Sequence, residues 1–134
     1  MAIYAIAATH NTFSLDRARI ALAAELSAAG IPETSVDNGW EYNFDVEIQQ
    51  SGHINDARIV LPAHAYMPAP PPPAGTCHML FADDTPHIHP LYGISFQPNV
   101  CNGPAPFPPV HYSRWLATTP GTLYAVRYLP PVHP

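Results

Sequence analysis

Residues 14–36 read SLDRARIALAAELSAAGIPETSV, and this stretch decides the fold. Leu15, Ala18, Leu22, Leu26 and Ala29 recur at steps of three or four, so they line one face of a helix. Asp16, Arg19 and Glu25 fall largely off that face. Thr12 or Ser14 can cap the start, which puts Asp16 in the first turn, where a negative charge suits the helix dipole. Gly30 is placed to end the helix in a left-handed conformation, and Pro32 prevents its continuation. Thr34-Ser35-Val36 then reads as a strand.

Working outward, Ile3 to Ala8 is a short apolar run that reads as a buried strand. On the other side, Asp37-Asn38-Gly39 is a turn signal. From Trp40 to Ile48, Tyr42, Phe44, Val46 and Ile48 alternate with Glu41, Asn43, Asp45 and Glu47, which predicts a strand with one face in water. Strand, helix and strand at this spacing predict a right-handed βαβ unit. The expected fold class is α/β, with one βαβ unit in a mixed sheet and one main helix.

The remainder of the chain has a different composition. Of 18 prolines, Pro32 alone lies in residues 1–61, and the other seventeen lie in 62–134. Charge runs the other way: after residue 61 the charged side chains are Asp83, Asp84, Arg114 and Arg127. The 134 residues therefore read as one domain, with a regular half (1–61) and a Pro-rich half (62–134) of short strands and loops that wraps it. Ala57–Leu61, Cys77–Phe81, Leu91–Phe96 and Leu123–Leu129 are the strand candidates. Pro68 to Pro73 should form a polyproline II spacer, or a docking site for a PxxP-reading domain.

Charge excludes several partners. The net charge is −5, the five basic residues are all Arg, and there is no Lys. Nucleic acid would need a basic stripe, and a polybasic membrane anchor would need clustered cations. No run of about 18 apolar residues is present, so no membrane span is expected in this chain. Met1 to Ala8 is short and lacks a basic start, so it does not read as a signal peptide.

Cys77 and Cys101 are 24 residues apart, which fits neither a zinc ribbon nor a CxxC pair. A disulfide between them would close a poorly tied loop, contributing on the order of 3 kcal/mol. It would also place the domain outside the cytoplasm. Two buried thiols, or a reactive or ligand cysteine, are the alternatives.

Two groups of residues carry chemistry. His10 and Asn11 follow the first expected strand, and Asp37, Asn38, Trp40 and Glu41 follow the second. Loops at the carboxyl ends of parallel strands line the ligand crevice of an open α/β sheet. A carboxylate, an amide and an indole suit a sugar, and His10 with Asp37 suits an acid/base pair. The plainer alternative is helix capping by Asn11 or Thr12 and a turn at 37–39. The stretch 10–14 is not Gly-rich, so it is no phosphate cradle. The second group is Asp83-Asp84-Thr85-Pro86-His87-Ile88-His89-Pro90. In an extended segment His87 and His89 face one way, as two ligands of Zn or Cu would, and Asp83, Asp84 or His78 would complete a site. Its alternative is a loop of solvated imidazoles with no cofactor. No GxSxG or other nucleophile motif is present.

Asp16-Arg17-Ala18-Arg19, Ala29-Gly30-Ile31-Pro32 and Ser35-Val36-Asp37-Asn38-Gly39-Trp40-Glu41-Tyr42-Asn43 together resemble a segment near the end of large bacterial membrane proteins similar to mannosyltransferase-type glycosyltransferases. Thr85 to Tyr92 and Pro108 to Leu116 fit the same kind of tail. The resemblance implies a small α/β domain outside the cytoplasmic membrane, attached to a membrane region that uses lipid-linked sugar donors. The catalytic carboxylate of that family lies in the membrane region, so no catalytic residue carries over. The implied role is a non-catalytic accessory domain contacting a glycan or the membrane part of a parent chain. A metal-binding protein or metalloenzyme built on His87 and His89, and a self-assembling surface protein, are the expectations from other classes.

Overall fold

The structure is a computed structural model that describes residues 1–51, 85–99 and 101–129. Helix α1 (Ala2–Ala28) opens the chain. Its end is built by the local chemistry of Gly30, which takes φ +82°. Gly30 N–H donates to the Ser27 carbonyl (2.9 Å) and Ile31 N–H to the Leu26 carbonyl (3.1 Å). This is a Schellman closure, which satisfies carbonyls that the helix leaves unpaired. Pro32 then turns the chain into a single 3₁₀ turn (Glu33–Ser35) and the short strand β1 (Val36–Asp37).

Helix α2 (Trp40–Ser51) follows, and then the strands β2 (Tyr92–Ser95), β3 (Asn102–Pro104), β4 (Val110–Tyr112) and β5 (Gly121–Tyr128). The sheet order is β1-β2-β5-β3, with β4 also paired to β5. β1 and β2 are parallel, and β5 is antiparallel to β2, β3 and β4. The fold is therefore a mixed α/β fold, and β1-α2-β2 is its βαβ-type unit. The central strand belongs to the Pro-rich half. Far from only wrapping the first half, that half supplies β2 to β5.

Hydrophobic burial joins α1 to the sheet. Ala18, Leu22 and Leu26 pack with Val36, Leu123 and Ala125 in one buried cluster. Ile31, Tyr92, Phe107 and Tyr112 close around it. Two glycines seat aromatic rings on the sheet. A Cβ on Gly121 would lie 2.0 Å from the Tyr112 ring, and one on Gly93 would lie 2.9 Å from the Tyr128 hydroxyl.

Two expectations need correction. Ile3–Ala8 is not a strand but the first turns of α1. Ala2, Ala5, Ala7 and Ala8 are strong helix formers, and no Gly or Pro separates them from the apolar stripe that follows. Thr12 and Ser14 are accordingly inside the helix: Thr12 Oγ1 donates back to the Ala8 carbonyl, and Ser14 Oγ accepts from Ser113 N–H. Trp40–Ile48 is not a strand but most of α2. Its buried face is Asn43, Val46 and Glu47, a helical spacing of largely polar residues that the apolar alternation concealed. The fold thus has two main helices where one was expected.

Cys101 is disulfide-bonded, and Cys77, the partner expected from the sequence, lies outside the described residues. The expected strands at Ala57–Leu61 and Cys77–Phe81 and the Pro68–Pro73 spacer also lie outside the described residues.

Candidate functional site at the junction of β1 and α2

The turn Asp37-Asn38-Gly39 joins the parallel edge of the sheet to α2. Gly39 takes φ +86°, a conformation that a side chain disfavours. Asp37 Oδ1 accepts from Gly39 N–H (3.2 Å) and from Asn43 Nδ2 (2.8 Å). Asn43 Oδ1 accepts in turn from Asn38 N–H (3.1 Å), so the turn and the first turn of α2 hold each other. From the far end of β5, the Tyr128 hydroxyl donates to Asp37 Oδ2 (3.0 Å). Arg19 reaches over from α1 and donates to the Asn38 carbonyl (3.3 Å). Arg19 Nε and Asn38 Oδ1 are buried with no hydrogen-bond partner among the described residues.

Both oxygens of Asp37 are thus spent on structure. Burial, and after it the charge of Asp37 and the hydrogen bond it accepts, push the Tyr128 phenol well above the ordinary tyrosine range. The fold favours the protonated phenol. Its stabilising contribution is complete below about pH 10, where an unfolded tyrosine also keeps its proton. It is lost as pH rises from there through the higher folded value. Tyr128→Phe is expected to cost about 1.5 kcal/mol at pH 7, the worth of a hydrogen bond to a charged group. Its urea midpoint should fall less steeply than that of wild type above about pH 10.

The junction presents an aromatic face and a carboxylate to solvent. The Trp40 indole is 55% exposed and stands edge-on to Phe44, with ring centroids 5.5 Å apart. Glu41 is exposed beside it in the first turn of α2.

Asp37, Asn38, Trp40 and Glu41 therefore come together as the sequence suggests, and His10 and Asn11 do not join them. Both lie within α1, against a different loop. The His10 ring stacks on Trp115 (centroids 3.9 Å, interplanar 11°), and Asn11 Oδ1 accepts from Trp115 N–H (2.7 Å). Arg19, which touches Asn38, is nine residues further along the helix, about 13 Å at the α-helical rise. The His10–Asp37 acid/base pair is not formed. Asn11 and Thr12 cap nothing, because α1 begins at Ala2.

The extended segment on which the metal expectation was built is likewise not formed. Thr85 to Ile88 is a turn, closed by Ile88 N–H to the Thr85 carbonyl (3.0 Å), so His87 and His89 do not share the face of an extended segment. His87 Nδ1 pairs with Glu47 Oε1, and His87 N–H donates to Glu47 Oε2 (2.8 Å). His89 N–H donates to the Thr34 carbonyl (2.8 Å). His78, Asp83 and Asp84 lie outside the described residues. Among the described residues no three His, Cys, Asp or Glu side chains converge on a metal position.

Sequence reasoning missed Arg19, Asn43, Glu47, His87 and Tyr128 as structural partners. Asn43 had a local signal, since it lies six positions from Asp37 and only a helical spacing brings them together. No family model, curated protein or solved structure matches the chain. No helix among the described residues is long and apolar enough to cross a membrane.

Proposed function

We propose that this chain is a non-catalytic, extracytoplasmic accessory domain of a glycosyltransferase-like membrane protein, and that its contact is a glycan. The observation that carries this reading is the division of labour at the β1–α2 junction. The polar groups of Asp37, Asn38 and Asn43 are engaged with one another and with Tyr128 and Arg19, which makes a rigid platform. The platform holds the indole of Trp40 outward, and a flat apolar face beside a carboxylate suits a sugar ring. The sequence resemblance supports the membrane-protein setting. So does the start of α1, where Ile3 is 85% exposed and Tyr4 and Ile6 are also exposed, an apolar surface for the membrane part of a partner.

An array of soluble glycans and short-chain polyprenyl-phosphate sugars tests the reading. Wild type should bind a subset, and Trp40→Ala should lose that subset while retaining the wild-type melting temperature. An array without hits, or Trp40→Ala binding like wild type, removes the glycan contact.

A further inference from the structure

A second feature lies away from this junction, on the segment from β4 to β5. Residues 111–120 line an open surface cavity of about 410 Å³, with His111, Ser113, Arg114, Ala117, Thr118 and Thr119 among its walls. Arg114 is fixed within it. Nε donates to the Thr119 carbonyl (3.1 Å), and Nη2 donates to Thr119 Oγ1 (3.1 Å) and the Pro120 carbonyl (3.4 Å). None of these bonds uses Nη1. His111 Nδ1 pairs with Thr122 Oγ1 (3.0 Å), which leaves Nε2 out of that bond.

Among the described residues the lining is rich in donors and contains no carboxylate. This reflects a segregation of charge along the whole chain. All ten Asp and Glu residues lie in positions 1–84, whereas Arg114 and Arg127 follow with no acid after them. In a chain of net charge −5, a cavity with a held guanidinium and no acid among its described lining residues is the complement of an anion. A guanidinium with several hydroxyls offers more donors than the two oxygens of a carboxylate use, and it suits the three terminal oxygens of a phosphate ester. The volume exceeds what a bare phosphate fills and is in the range of small-ligand sites.

We infer that this cavity binds a phosphate monoester, with Arg114 as its principal contact and Ser113, Thr118 and Thr119 as further donors. The inference does not rest on the glycan contact at Trp40. Two sources share this chemistry: a soluble sugar phosphate, and a lipid headgroup whose tails would meet Trp115 and Leu116, both exposed on the same loop.

Titration of ¹⁵N-labelled protein with inorganic phosphate and with a hexose 6-phosphate tests it. Amide shifts should concentrate on residues 111–119, and the hexose phosphate should bind more tightly. Arg114→Gln should weaken binding about tenfold or more. Because that change also removes loop hydrogen bonds, Ala117→Asp serves as the second variant. It leaves the Arg114 bonds in place, adds a negative charge to the lining, and should abolish the shifts. Flotation with vesicles containing phosphatidic acid, lost in Ala117→Asp, would assign the site to a lipid headgroup. Hexose phosphate binding without flotation would assign it to soluble esters. Absence of both, or Ala117→Asp binding as wild type does, would overturn the inference.

Discussion

His87→Ala is expected to lower the unfolding free energy by about 1–3 kcal/mol, the usual cost of leaving a buried hydrogen-bonding group without its partner. Glu47 is 1% exposed and meets both the ring and the backbone N–H of His87. Alanine keeps the backbone donor and removes the imidazole, leaving one oxygen of the buried Glu47 side chain without that partner. The effect reaches the candidate site. The segment after His87 runs beside the chain entering β1, with His89 and Leu91 donating to the carbonyls of Thr34 and Ser35. Loosening it loosens the parallel edge that carries Asp37 and Trp40. Urea unfolding at pH 7 measures the loss, and Glu47→Gln, which keeps the shape and an acceptor, should lose less than His87→Ala. A loss under about 1 kcal/mol for His87→Ala would mean that the pair behaves like one on the surface.

Leu26→Ala should cost about 2–5 kcal/mol, the range for deleting a leucine side chain from a packed core. Leu26 is fully buried, and it contributes to the cluster that holds α1 on Val36, Leu123 and Ala125. Its carbonyl also receives Ile31 N–H in the helix closure, but that bond is made by the backbone and survives the substitution. The expected result is a lower urea midpoint with an unchanged slope, since the folded architecture is retained. Exposed Ile20 on the same helix is the control, and Ile20→Ala should stay within about 0.5 kcal/mol of wild type.

The parts of the fold that local chemistry writes were legible in the sequence. The stripe at Leu15, Ala18, Leu22 and Leu26 marked the packed half of α1, and Gly30-Ile31-Pro32 marked its end. The periodic run at 123–129 marked the central strand, and the Asp-Asn-Gly turn marked the junction. Two elements were misread because hydrophobicity is a poor guide where burial is polar or exposure is apolar. α2 buries Asn43 and Glu47 and exposes Trp40 and Ile48, the reverse of the rule that periodicity relies on. The start of α1 exposes Ile3, Tyr4 and Ile6, so an apolar run that suggested a buried strand is a helix surface.

The candidate site was legible only in its contiguous part. Asp37, Asn38, Trp40 and Glu41 are neighbours in sequence and remain so in space. The partners that fix them come from far along the chain: Tyr128 is 91 positions from Asp37, and Arg19 is 19 from Asn38. His87 is 40 positions from Glu47. No local pattern announces such pairings. His10 and Asn11 were placed in the site on the premise of a strand before the helix, and when that strand became helix they moved to the Trp115 loop.

The most direct measurement is the fluorescence of a Trp115→Phe variant, whose one remaining indole is Trp40. It is titrated with mannose oligosaccharides and with a short-chain polyprenyl-phosphate mannose. If Trp40 is the recognition face of a rigid platform, its emission shifts to shorter wavelength and saturates with one of these probes, because the sugar ring displaces water from the indole. Emission that stays unchanged through the full titration with every probe contradicts a glycan contact at Trp40.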